Sequence, residues 1–148
     1  MKNAARLNEL ICFALYSASN ALTRLYRPLL EPLNLTYPQY VVMLALWEED
    51  KLVLGELGRR VHFDSGTLAP LVKRLETKGW VRRQPAPEDE RSKRVVLTET
   101  GRALEQAAAH VTEALLCQVD IDYDSMVQLH ALATKAEEAV REVEKKRR

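Results

Sequence analysis

The sequence has little of what membrane, secreted or fibrous chains need. Apolar runs such as Leu10–Tyr16 and Val41–Trp47 fall far short of the ~20 residues that cross a bilayer, so no membrane partner is expected. Residues Lys2, Arg6 and Glu9 interrupt the N-terminus, which therefore lacks the continuous apolar stretch of a secretory signal. Five glycines and six prolines in 148 residues exclude collagen-like and low-complexity chains. Two cysteines, Cys12 and Cys117, cannot build a disulfide scaffold. A reducing cytoplasm is the default location, and a reaction of these thiols would act as a signal rather than a staple. What remains is a chain 47% apolar, long enough to bury a core as one ordinary globular domain.

No charge sign dominates, with 22 Lys and Arg against 21 Asp and Glu, yet the charge is unevenly placed. Residues 55–94 hold ten Lys and Arg against six Asp and Glu, a local +4 that leaves −3 for the rest. A basic middle in a near-neutral chain points to a polyanion contact confined to one region. The plainer account is an exposed basic face on an ordinary helical protein.

Apolar spacing divides the chain. Leu7, Leu10, Ile11, Ala14, Leu15, Ala18, Leu22 and Leu25 predict a long helix over 7–28, broken by Pro28 and Pro32. Thr36-Tyr37-Pro38-Gln39 reads as a capped start for a second helix over 38–48. A short helix over 53–61 follows. Asp64 or Ser65 caps the next, over 65–78, where Leu68, Leu71, Val72 and Leu75 share a face; Gly79 ends it. The period then turns extended: Trp80–Gln84 and Lys93–Thr98 predict a hairpin around a polar loop, Pro85–Arg91. Thr98 and Gly101 open a fifth helix carrying Leu104, Ala108, Val111 and Leu115. A break at Asp120–Asp124 precedes a sixth, over 124–146, and Lys145–Arg148 suits a frayed end.

Two short helices, a tight turn and a hairpin form the layout of a winged helix-turn-helix. The expected fold is mainly α, with six helices and a small β-hairpin wing. The boundaries are 1–35 for an N-terminal dimerisation helix, 36–98 for the DNA-binding region and 99–148 for C-terminal dimerisation helices. Long terminal helices with clean apolar stripes most simply pair with a second copy, giving an intertwined homodimer. On the helix at 65–78, Ser65, Thr67, Ala69, Lys73, Arg74 and Lys78 are left for the side away from the core. Small polar residues at its start suit close approach to base edges and phosphates, and Arg74 can reach a base edge. Arg91 at the hairpin tip fits a narrow minor groove. Arg82, Arg83, Lys93 and Arg94 suit phosphates, holding register without reading sequence. The expected partner is double-stranded DNA with a pseudo-palindromic operator.

Asp89-x-Arg91, followed by Leu97-Thr98-x-x-Gly101, resembles the wing signature of the MarR family of transcriptional regulators, and the six-helix layout matches as well. The resemblance implies that Asp89 pairs locally with Arg or backbone groups while Arg91 enters the minor groove. Three stretches, Leu10–Tyr16, Tyr26–Leu30 and Leu35–Tyr40, and Phe63–Leu68 with Pro70, resemble its organic-hydroperoxide-sensing (OhrR) branch. That likeness implies a peroxide-reactive thiol at Cys12. It also implies that Tyr26 and Tyr37 hydrogen-bond to that thiol across the dimer interface, with Tyr16 near the pocket. The chemistry is coherent: a thiolate attacks the O–O bond, and a helix start and phenolic donors favour the negative charge. Apolar walls such as Phe13, Leu15 and Trp47 would admit an alkyl tail. In one subclass of this branch a second cysteine resolves the sulfenic acid as an intersubunit disulfide, and Cys117 stands where that cysteine falls; in the other subclass a small thiol does so. The implied protein is a repressor released by organic hydroperoxide, with no cofactor and no enzymatic turnover.

Three other readings compete. A MarR-type regulator induced by reversible binding of a phenolic or other small ligand would still respond after Cys12→Ser. A thiol peroxidase would need an activated cysteine too, but would have no use for a wing. A zinc sensor would draw on His62, His110, His130 and Cys117, yet His110 and Cys117 stand about 10 Å apart along a helix, and no CxxC or HxxxH pair is present.

Overall fold

A computed structural model describes residues 6–147; the expectations falling on Lys2 and Arg148 lie outside them. The chain divides into two compact units, Met1–Leu115 and Leu116–Arg148.

The first unit begins with a 3-10 turn, Leu7–Glu9, and α1, Ile11–Leu30. Contrary to expectation, Pro28 does not end α1. Its missing N–H costs a single bond, to the Arg24 carbonyl, and only two more helical residues follow. A second 3-10 turn, Glu31–Leu33, closes on Asn34 in the left-handed region (φ 53°). α2, Tyr37–Glu48, starts from a full capping box: Thr36 Oγ1 accepts the Gln39 N–H, and Gln39 Oε1 accepts the Thr36 N–H. A two-residue strand, β1 (Leu52–Val53), leads into α3, Leu54–Val61. Asp64 Oδ1 accepts the Thr67 N–H at 2.7 Å and fixes the start of α4, Ser65–Thr77. Pro70 sits inside α4 without breaking it; the carbonyl it leaves without a donor belongs to exposed Gly66.

The wing is longer than the sequence pattern indicated. Strands β2, Val81–Ala86, and β3, Asp89–Leu97, close around Pro87-Glu88, and β3 lies between β1 and β2 in an antiparallel sheet. Pro85 pairs with Lys93 but Ala86 with Asp89, so Glu90, Arg91 and Ser92 bulge from β3. An expected loop is thus a bulged ladder, because register slips at Pro85 rather than pairing being lost.

At the foot of the wing, Thr98 Oγ1 accepts the Gly101 N–H and caps α5, Glu99–Ala108. Gly101 is needed there: a Cβ at this position would lie 1.9 Å from the Trp80 carbonyl oxygen. The expected fifth helix is interrupted at Ala109-His110, where the Ala109 N–H turns to the Gln106 carbonyl, before α6, Val111–Leu116. Leu104, Ala108, Val111 and Leu115 are all buried, so α5 and α6 are two halves of one kinked helix. Counted so, the described residues hold six helices. The core of the first unit runs from Leu30 to Val111 and takes side chains from α1 to α6 and the sheet. Of α1 only Leu30 is buried.

The second unit is chiefly α7, Tyr123–Lys146, capped by Asp122 and with no buried residue. No helix among the described residues is long and apolar enough to cross a membrane.

Candidate functional site

The reading head is built on α4. Leu68, Leu71, Val72 and Leu75 face the core, which leaves Ser65, Thr67, Ala69, Lys73 and Arg74 exposed on the other side. The Asp64 carboxylate occupies one of the free amides at the start of α4, that of Thr67. Lys78 does not join the exposed set. Half-buried at the C-cap, it donates from Nζ to the Asn34 carbonyl (2.7 Å) and to Gln39 Oε1 (2.8 Å). Burial, and then the charge of Arg74, lower its pKa.

In the wing, Asp89 organises the bulge: Oδ1 accepts the Arg91 N–H at 3.0 Å, and Oδ2 accepts the Ser92 hydroxyl at 3.1 Å. The Arg91 side chain stands exposed at the bulge. Arg82 and Lys93 are exposed and have no ion-pair partner among the described residues. Arg83 is held by Glu76 of α4, through its backbone N–H to Oε1 (2.9 Å) and its guanidinium to Oε2 (2.9 Å). That backbone bond, then the guanidinium, keeps the Glu76 carboxyl below the usual carboxylate range despite some desolvation. Arg94 pairs with Glu88 at 2.8 Å. Two of the four arginines and lysines assigned to phosphates thus also brace the wing.

The thiol face lies on α1. Cys12 is a free, exposed thiol in the first turn, and Tyr16, one turn on, is 66% exposed. Leu10, Ile11, Phe13 and Leu15 around it are exposed too. Tyr26 and Tyr37 come together, with ring centroids 4.8 Å apart. Burial raises both phenol pKa values, helped by the neighbouring tyrosines, so both stay neutral hydrogen-bond donors. Cys12 is not among them: fourteen residues of helix separate it from Tyr26, about 21 Å along the axis. Trp47 turns into the core and donates Nε1 to the Gly101 carbonyl at 2.9 Å, so it does not share the open face of Phe13 and Leu15. Cys117, in the second unit, is a free and exposed thiol in the turn after α6.

From sequence Tyr40 has no assigned role, and Gln39 has only that of closing the helix cap with Thr36. Tyr40 lies 5.9 Å from Tyr26 and shares a hydrogen bond with Thr112. Its spacing three residues after Tyr37, on one helix face, was the available signal. Gln39, 2% exposed, is the buried polar side chain to which Lys78 reaches, and nothing in its spacing announces that contact.

Helix, turn, exposed second helix and three-stranded wing define a winged helix-turn-helix DNA-binding protein. Residues 35–93 match the MarR family model. The chain is 42% identical over 111 residues (75% of this chain, 76% of the relative) to the organic hydroperoxide resistance transcriptional regulator of Bacillus subtilis (strain 168). Two structures of AbfR, a Staphylococcus epidermidis protein, are also similar. The reduced form bound to DNA has a TM-score of 0.79 at 31% identity, covering 93% of this chain and 94% of that one. The disulfide form has a TM-score of 0.61 at 32% identity, covering 93% and 92%. The chain belongs to the MarR family of transcriptional regulators.

Proposed function

We propose that this regulator is a homodimeric repressor that senses organic hydroperoxides through Cys12 and leaves a pseudo-palindromic operator when that thiol is oxidised. The thiolate attacks the O–O bond of the hydroperoxide. An S–O bond forms, the O–O bond breaks, and the alkoxide leaves and takes up a proton as an alcohol; sulfur becomes a sulfenic acid. The Cys117 thiol of the second copy then attacks that sulfur, forming the disulfide and releasing water.

The observation that carries this reading is the separation along α1. An exposed thiol among exposed apolar side chains sits about 21 Å along α1 from Tyr26, which pairs with Tyr37 of α2 as two partly buried, neutral phenols. The pair can serve such a thiol only on another copy, as the OhrR resemblance implies. The B. subtilis relative, named for organic hydroperoxide resistance, and AbfR, solved both reduced on DNA and as a disulfide, support the same chemistry. In this reading residues 1–35 and 99–148 dimerise and 36–98 bind DNA. Ser65 and Thr67 approach base edges and phosphates, Arg74 reaches a base edge, and Lys73 lies on the same DNA-facing side; Arg91, positioned by Asp89, enters the minor groove; Arg82, Arg83, Lys93 and Arg94 meet phosphates. Tyr16 borders the thiol.

A gel shift on an operator fragment with cumene hydroperoxide tests the proposal. Wild type is expected to release DNA, Cys12→Ser to stay bound, and Cys117→Ser to release only with a small thiol present. Release of Cys12→Ser as readily as wild type would refute the sensory role. It would turn attention to reversible ligand binding, for which a groove of about 430 Å3 beside Tyr37, bordered by Thr23 and Arg27, offers room.

A further inference from the structure

The start of α2 is a meeting point. Its first residue, Tyr37, sets its ring tilted by 43° against that of Tyr26, and two residues on, Gln39 is buried with an oxygen that takes two hydrogens. One comes from the Thr36 N–H of the capping box (3.1 Å) and one from Lys78 (2.8 Å). The same ammonium also holds the carbonyl of Asn34, the left-handed residue that ends the turn before α2. Lys78 itself sits where α4 hands over to the wing: its N–H closes on the Arg74 carbonyl, and Gly79, with φ 80°, swings the chain toward β2. Tyr37 and Lys78 border one groove.

We infer that Lys78 is a positioning residue for the response, a clamp that carries movement at the tyrosine pair to the junction of recognition helix and wing. The inference rests on the sensory role of Cys12 proposed above. When a phenol loses its hydrogen bond to the thiolate, Tyr37 and the first turn of α2 can shift. Asn34 O and Gln39 Oε1 move with that turn, and a half-buried ammonium bound to both follows rather than being left without acceptors. Its Cα belongs to the last turn of α4, so the shift enters the reading head at the point where the wing departs. Apolar packing between α2 and α4 resists sliding but does not fix register in this way; two short charge-assisted bonds do.

The test is the ratio of operator dissociation constants, oxidised over reduced, for wild type, Lys78→Met and Lys78→Arg, with Cys12 oxidation followed by intact mass in the same samples. Lys78→Met keeps the aliphatic stem and loses the donors; its Cys12 should oxidise as in wild type while the ratio falls by about tenfold. Lys78→Arg, still a donor, should recover most of it. A merely structural or phosphate-binding lysine would weaken both states alike and leave the ratio unchanged, which would overturn the inference. Amide hydrogen exchange over residues 78–84 without DNA covers a variant that binds poorly. Oxidation should alter exchange there in wild type and not in Lys78→Met, and an equal change in both, or none in a wild type that oxidises and releases, counts against the clamp. If wild-type Cys12 stays reduced while DNA is released, it is the sensory reading that has failed.

Discussion

The reading head and the terminal helices of this chain are built to different rules. Between Leu30 and Val111 most large aliphatic side chains are buried, and side-chain caps close the starts of α2, α4 and α5. α1 before Leu30 and all of α7 bury nothing fully, and both leave Ile11, Leu15, Val127, Leu132 and Val143 in solvent. One region is finished within a single chain. The other carries exposed apolar surface that, in the proposed homodimer, a second copy would cover, and there the proposed sensor would also be completed.

Truncations separate the two most sharply. Leu75→Ala, at a fully buried position of α4, should cost about 2–5 kcal/mol in urea unfolding, whatever the protein concentration. In contrast, Leu132→Ala, at a side chain 65% exposed in α7, should change the stability of a diluted single chain by less than about 0.5 kcal/mol. A large concentration-independent loss at Leu132 would erase the distinction. Leu132→Asp should shift sedimentation toward a monomer and weaken binding to a two-half-site operator by about 100-fold, because linkage of two reading heads is lost.

Effects within the reading head are smaller. Arg91→Ala should cost about 1–3 kcal/mol of operator affinity, with discrimination lost where the minor groove is narrow, read by fluorescence anisotropy on operator variants. Thr36→Ala removes a cap and should cost about 1 kcal/mol of stability. The least effect is a pH dependence. Glu76 has a lowered pKa in the folded chain, so its bond to Arg83 stabilises fully above the ordinary value of 4.5 and is lost as pH falls through the lower folded value. Urea midpoints between pH 6 and pH 3 should show that loss in wild type and less of it in Glu76→Gln.

What could be read in advance follows the same division. Caps at Thr36, Asp64 and Thr98 act within three residues, so their signal is local and each opens the helix it announced. The glycine of the Leu-Thr-x-x-Gly motif is legible as a pattern, but its reason, the Trp80 carbonyl, is visible only in the folded chain. β1 is two residues long and exists because β3 offers it an edge, so no pattern marks it. The continuation of α1 past Pro28 depends on how soon the helix would end anyway. Lys78 looked like one more cation on an exposed helix face; its acceptors lie 44 and 39 residues away in sequence. Among the tyrosines, the pairing of Tyr26 with Tyr37 joins two helices of unit one, whereas the distance of Tyr26 from Cys12 follows from the rise of α1 alone.

The central claim concerns Cys12. Titrating DNA-bound protein with cumene hydroperoxide, while following operator release by anisotropy and cysteine oxidation by intact and peptide mass, tests it most directly. The account predicts that release tracks modification of Cys12 one for one and that the modified peptide becomes joined to that of Cys117. Release from protein whose Cys12 remains an unmodified thiol would contradict it.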